Sequence, residues 1–78
     1  MLKRVYFGWY SGKTKDEGKE YKCILLGIPS DDWHGYRVDR KYFDTSLVVP
    51  AFQPGEFIGV DFNEYGRPEA FYQLKENG

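Results

Sequence analysis

The chain has 78 residues and a mass of 9.2 kDa; 41% of them are hydrophobic, 29% charged and 19% aromatic, and the net charge is −1. A chain this short holds one domain with a thin core, since it buries only about 60% of its unfolded surface. The composition argues against disorder, no run approaches the roughly 18 apolar residues of a membrane span, and a single Cys and a single His exclude an internal disulfide and a zinc-type site.

In chain order, Lys3–Tyr10 reads as a first strand with Val5, Phe7 and Trp9 on the core side and Arg4, Tyr6 and Tyr10 opposite. Ser11–Glu20 has two glycines and frequent charge changes, and is expected as a long exposed hairpin loop. Tyr21–Gly27 follows as a second, central strand with apolar residues on both faces, Cys23 and Leu25 against Ile24 and Leu26. Ile28–Gly35, with Pro29, Ser30 and the Asp31–Asp32 pair, is a turn-rich connection carrying Trp33 and His34. Gly35–Phe43 is the third strand. Thr45–Phe52 is apolar, but Pro50 lacks a ladder donor, which makes the segment an edge strand or an irregular crossing. Phe57–Phe62 and Arg67–Leu74 are the last two strands, joined by Asn63–Gly66, a strong hairpin signal.

Five short strands predict an all-β fold, a small five-stranded antiparallel OB-like barrel, with an SH3-like barrel as the alternative. Closure is expected because it removes exposed edges. The expected core is Val5, Phe7, Trp9, Cys23, Leu25, Val38, Val48, Ile58, Val60, Phe62, Ala70 and Leu74.

Charge is unevenly distributed. Residues 1–22 hold six basic and three acidic residues, a balance of +3, whereas residues 23–78 hold five basic and nine acidic ones, a balance of −4. Arg37, Arg40 and Lys41, against Asp39 alone, form a second basic stretch within that acidic part.

The residues offer no catalytic constellation. His34 stands beside Ser30, Asp31 and Asp32, but neighbouring loop residues do not make triad geometry. The Asp pair reads as turn-forming, Cys23 as a small buried thiol, and Gly12–Lys19 lacks the spacing of a phosphate loop. No enzyme activity, cofactor or metal is therefore expected. What stands out is aromatic residues interleaved with basic ones, the pattern by which single-stranded nucleic acid is held: rings stack on bases while Lys and Arg follow the phosphates. The ring candidates are Tyr10, Tyr21, Trp33, Tyr36 and Tyr42, and Arg37, Arg40 and Lys41 are basic candidates beside them.

Ser11-Gly12, followed by Gly18-Lys19-Glu20-Tyr21 opening the second strand, resembles the small single-stranded-DNA-binding proteins of filamentous phages. Gly35-Tyr36-Arg37-Val38, the Pro54-Gly55 turn and Gly66-Arg67-Pro68 in the last hairpin fit the same outline. The acidic C-terminal half, Glu20 inside the motif and Asp16-Glu17 in the loop depart from it. The resemblance implies an OB-like fold and a homodimer that coats single-stranded DNA cooperatively with little sequence preference. It also implies that Tyr21 stacks on a base and that Lys13, Lys15 and Lys19 contact phosphates from a mobile loop.

The expectation is thus a non-enzymatic single-stranded-DNA-binding protein, serving DNA replication of a phage, plasmid or mobile element in the bacterial cytoplasm. DNA is expected over RNA and a membrane is not expected. The alternative is a small β-barrel that binds other proteins as an adaptor or assembly subunit.

Overall fold

The structure, a computed structural model, describes residues 1–29 and 35–74. The connection carrying Trp33, His34 and the Asp31–Asp32 pair lies outside the described residues. The fold is all-β, with strands β1 (Leu2–Lys13), β2 (Glu20–Pro29), β3 (Tyr36–Phe43), β4 (Phe57–Phe62) and β5 (Pro68–Gln73). They form one antiparallel sheet in the order β3-β2-β1-β4-β5. β4 pairs with β1, not with its sequence neighbour β3, as an OB-type order requires and a simple meander would not.

β1 is the hinge of this arrangement. Leu2–Val5 pairs with β4, while Val5–Lys13 pairs with β2. Between the partners Tyr6↔Leu26 and Gly8↔Leu25, β1 holds one extra residue, Phe7, in a β-bulge. The bulge reverses the alternation, so Tyr6 and Trp9 share one face of the sheet and Phe7 leaves on the other. Beyond it, β1 and β2 continue as a two-stranded ribbon to Lys13↔Glu20. The segment expected to be a loop from Ser11 is therefore strand as far as Lys13, and the turn spans only 14–19. It is closed by Thr14, whose Oγ1 accepts from the Lys19 amide at 3.1 Å. The ribbon draws the molecule out to 45 Å against 27 and 25 Å in the other directions.

The core lies on one face of the sheet, built from Tyr6, Ile24, Leu26, Phe43, Phe52, Ile58 and Val60 with Leu47, Val49, Phe62 and Phe71 packed against them. Residues 44–56 cross this face without forming a strand, which settles the Pro50 segment as an irregular crossing. Asp44 starts it by accepting from the Ser46 amide at 2.8 Å, Lys22 Nζ donates to the Leu47 carbonyl at 3.0 Å, and the Phe52 ring meets Tyr6 edge-on at 5.3 Å.

Several core expectations are corrected. Phe7 is exposed on the face away from the core, Trp9 shares the face of Tyr6 but is exposed on the ribbon, Leu25 is half-buried, and Val38 (61% exposed) and Val48 (79% exposed) face solvent. Ala70 and Leu74 are only half-buried. In their place Tyr6, Ile24, Leu26, Phe43 and Phe52 are buried. Both faces of β2 are apolar, so alternation alone cannot choose between Cys23–Leu25 and Ile24–Leu26; the register with β1 does.

The sheet curls but does not close. β3 and β5 approach one another, and Phe43 meets Phe71 edge-on at 5.2 Å across the seam, yet no ladder joins these strands. The sequence of β3 supplies the reason. On the core face, below Phe43, it carries Lys41, Asp39 and Arg37, whose charges would be costly to enclose.

Phe43 fills the seam, so Phe43→Ala is expected to lower unfolding stability in urea by about 3–5 kcal/mol. Val48→Ala, at an exposed site, should change it by less than about 0.5 kcal/mol. Equal losses at the two positions would contradict this core.

Candidate nucleic-acid interface

The face of β1–β2–β3 turned away from the core has an unusual composition. By register it presents Lys3, Val5, Gly8, Tyr10 and Gly12 from β1, Tyr21, Cys23, Leu25 and Gly27 from β2, and Tyr36, Val38, Arg40 and Tyr42 from β3. The bulged Phe7 adds its ring here. The charged residues of these strands on this face are Lys3 and Arg40, both basic. The acidic residues of the same strands, Glu20 and Asp39, fall on the opposite face because they pair with Lys13 and Leu26 there.

Two aromatic clusters sit on this face. At the ribbon end, Tyr10 meets Tyr21 at 6.4 Å and Tyr21 meets Tyr42 at 5.9 Å, both edge-on. Tyr10 and Tyr42 remain 38% and 49% exposed, while Cys23 beneath them is fully buried. The Tyr21 ring lies flat across Gly12: a Cβ at Gly12 would stand 2.6 Å from the Tyr21 hydroxyl oxygen. At the other end, Tyr36 meets Phe7 at 6.4 Å and Phe57 at 6.3 Å, and the Lys3 ammonium stands 4.4 Å from the Phe57 ring centre. Phe7 likewise lies across a glycine, since a Cβ at Gly27 would come 2.6 Å from its Cε2. In both clusters glycine provides a flat seat that lets a ring lie against the backbone.

The first cluster is also coupled through its polar atoms. The Tyr10 phenol pKa is raised, first by the neighbouring Cys23 thiol and then by burial. The Tyr42 hydroxyl, followed by Tyr10, holds the Arg40 pKa above the ordinary arginine value. A fixed cation therefore stands beside the rings throughout the physiological range. Tyr21 and Tyr42 also border an open recess of about 330 Å³ whose other walls include Glu20, Asp44 and Arg67.

The structure divides the residues singled out in the sequence. Tyr21, Tyr36 and Arg40 come together on this face, with Tyr10 and Tyr42 between and beside them. Lys13, Arg37 and Lys41 belong to the opposite face, and Lys41 pairs with Asp39 at 3.5 Å. Lys15 and Lys19 are at the ribbon tip, where Lys19 pairs with Glu17 at 2.9 Å. Trp33 lies outside the described residues. Phe7, Phe57 and Lys3 were not foreseen; the one local signal was the Phe7-Gly8 step, which marks the bulge.

Among the described residues there is no group of three or more His, Cys, Asp or Glu side chains able to hold a metal ion, and no helix long and apolar enough to cross a membrane. No protein-family model, curated protein or solved structure matches the chain.

The folded state holds the Tyr10 proton more tightly than the unfolded chain, whose phenols titrate near 10. That contribution is complete below pH 10 and is lost as pH rises through the raised folded value. Phenolate absorbance is expected to show three tyrosines, Tyr6, Tyr10 and Tyr72, titrating above the ordinary range, and Cys23→Ala should bring one of them down. An unchanged titration in Cys23→Ala would break the assigned Tyr10–Cys23 link.

Proposed function

We propose that this protein is a non-enzymatic single-stranded nucleic-acid-binding protein that uses the aromatic face of β1–β2–β3, with DNA preferred over RNA. The observation that carries the reading is the sorting of side chains across those strands. Half-exposed rings stand on one face with Lys3 and Arg40 as its charged residues, while Glu20 and Asp39, the acidic residues of those strands, stand on the other face among the remaining basic ones. Net charge near zero would disfavour a polyanion if it were spread evenly, but within β1–β2–β3 the acidic side chains, Glu20 and Asp39, are directed to the other face. Rings at this exposure can give up water to a base, and each stacked base contributes about 1–3 kcal/mol. The setting we infer is DNA replication of a phage, plasmid or mobile element in a bacterial cytoplasm.

The face is also where five-stranded OB-type folds take oligonucleotides, on strands two and three and the loops that flank them. Here those strands supply Tyr21, Tyr36, Arg40 and Tyr42, and Lys15 stands exposed in the turn that ends the ribbon. Lys13, Arg37 and Lys41 are left without a part in this contact. Cooperative coating would need two copies to associate, and homodimerisation remains part of the proposal. Ile24 and Leu26 fill the core, so the unpaired edge of β3 with exposed Val38 is the surface offered to a second copy.

Anisotropy of fluorescein-labelled oligo-dT is the direct test, because Trp9 lies on the opposite face, with Lys22 5.6 Å from its ring, and is a poor reporter of stacking. Tyr42→Leu and Tyr21→Ala are each expected to weaken binding about 5- to 150-fold, the range of one lost stack. With Lys3, Arg40 and Lys15 as phosphate contacts, log affinity should fall against log salt with a slope of about −2. Wild-type affinity in both folded variants would remove the tyrosines from the interface. Sedimentation at rising concentration should show a dimer that Val38→Glu dissolves; a monomer throughout would end the dimer proposal.

A further inference from the structure

The two ring clusters lie on one face but are not continuous. The tyrosine triad sits at the Tyr21 end of β2 and the Phe7–Tyr36–Phe57 cluster at its Gly27 end, six residues further on, which is about 20 Å along a strand. Leu25, half-buried, and the guanidinium-bearing Arg40 lie between them in register. Twenty ångströms is too far for one or two bases to touch both ends. It is the length of about six nucleotides stacked as in a duplex strand, at 3.4 Å each.

We propose that the Phe7–Tyr36–Phe57 cluster, with Lys3 beside it, is a second base-stacking station, and that one single strand of about six nucleotides bridges both stations across Arg40. The inference rests on the nucleic-acid reading above and adds its second half. Lys3 stands over Phe57, so a phosphate entering between neighbouring bases meets a cation at the moment the base meets the ring. Arg40 supplies the same at the middle of the path. Tyr36 is 44% exposed and Phe7 is 37% exposed, so both rings have surface left to offer. Once one station holds a base, the other binds within the same molecule, and its contribution multiplies the affinity instead of adding a competing site.

The length dependence of oligo-dT binding tests this. For the wild type, affinity is expected to rise between dT3 and dT8 by at least tenfold, well above the few-fold gain from having more registers on the longer strand. Tyr36→Leu and Phe57→Leu, which keep an apolar cover over Val5, should erase that step and leave dT3 binding within twofold of wild type. Tyr36→Phe, which retains the ring, should keep it. Lys3→Gln should reduce the salt slope for dT8 by about 0.7 and leave that for dT3 nearly unchanged. Tyr42→Leu should weaken both lengths.

Three results would overturn the proposal. Wild-type binding that grows between dT3 and dT8 only by the statistical factor means a single station. A step that survives in the folded Tyr36→Leu and Phe57→Leu variants places the second contact elsewhere. Self-association lost in those variants, with dT8 binding intact, assigns the cluster to a second protein copy. If wild-type protein binds neither oligonucleotide, the nucleic-acid reading itself fails, and that outcome is distinct from the other three.

Discussion

The bulge at Phe7 is the feature on which the rest of the molecule depends. β1 must serve two partners, β4 along its first residues and β2 along the remainder, and a flat strand cannot turn from one to the other. The extra residue gives it the bend and added twist to do so. It also resolves a conflict of packing. Val5, Tyr6 and Phe7 are consecutive bulky residues, and only Tyr6 can join Ile24, Leu26 and Phe52 in the core. Tyr6 goes inward and Phe7 lies over Gly27 on the outside, and past the bulge Gly8, Tyr10 and Gly12 turn to that same outer face, so one irregularity brings Tyr10 to the side of Phe7.

From that bend the distribution of charge follows. Once the register of β1 against β2 is set, every residue of the first three strands is assigned a face, because the side-chain period is two. Asp39 and Lys41 arrive on the core side of β3, where they keep the barrel's seam open and pair with each other. Arg40 arrives on the outer side among tyrosines. The open seam and the placing of Asp39 away from the aromatic rings are two results of the same register. A fully apolar β3 would have favoured closure.

How far the sequence revealed this is best judged from particular positions. The strand at Phe57–Phe62 and the Asn63–Gly66 hairpin were legible because turn chemistry is local: Asn63 Oδ1 accepts from the amides of both Tyr65 and Arg67 at 2.9 Å. Tyr21, Tyr36 and Arg40 were legible as a group because aromatic and basic residues alternate around them. Lys13, Arg37 and Lys41 stand on the face away from those rings, since nearness in sequence to a ring says nothing about the face once strands alternate. Tyr6 and Phe43 were missed in the core, one hidden by the bulge and the other by lying at the charged end of an otherwise exposed strand.

The sequence by itself determined the class of fold and the material of the aromatic face: five strands, their turns and an excess of rings. These follow from local preferences, namely β-branched and aromatic runs punctuated by glycine, proline and asparagine. Only the tertiary structure decided which side of each strand is inside, that the barrel stays open between β3 and β5, and that Lys3, Phe7 and Phe57 gather beside Tyr36. Those outcomes depend on pairing between residues far apart in the chain, and β2, apolar on both faces, carries no local signal to select among the pairings.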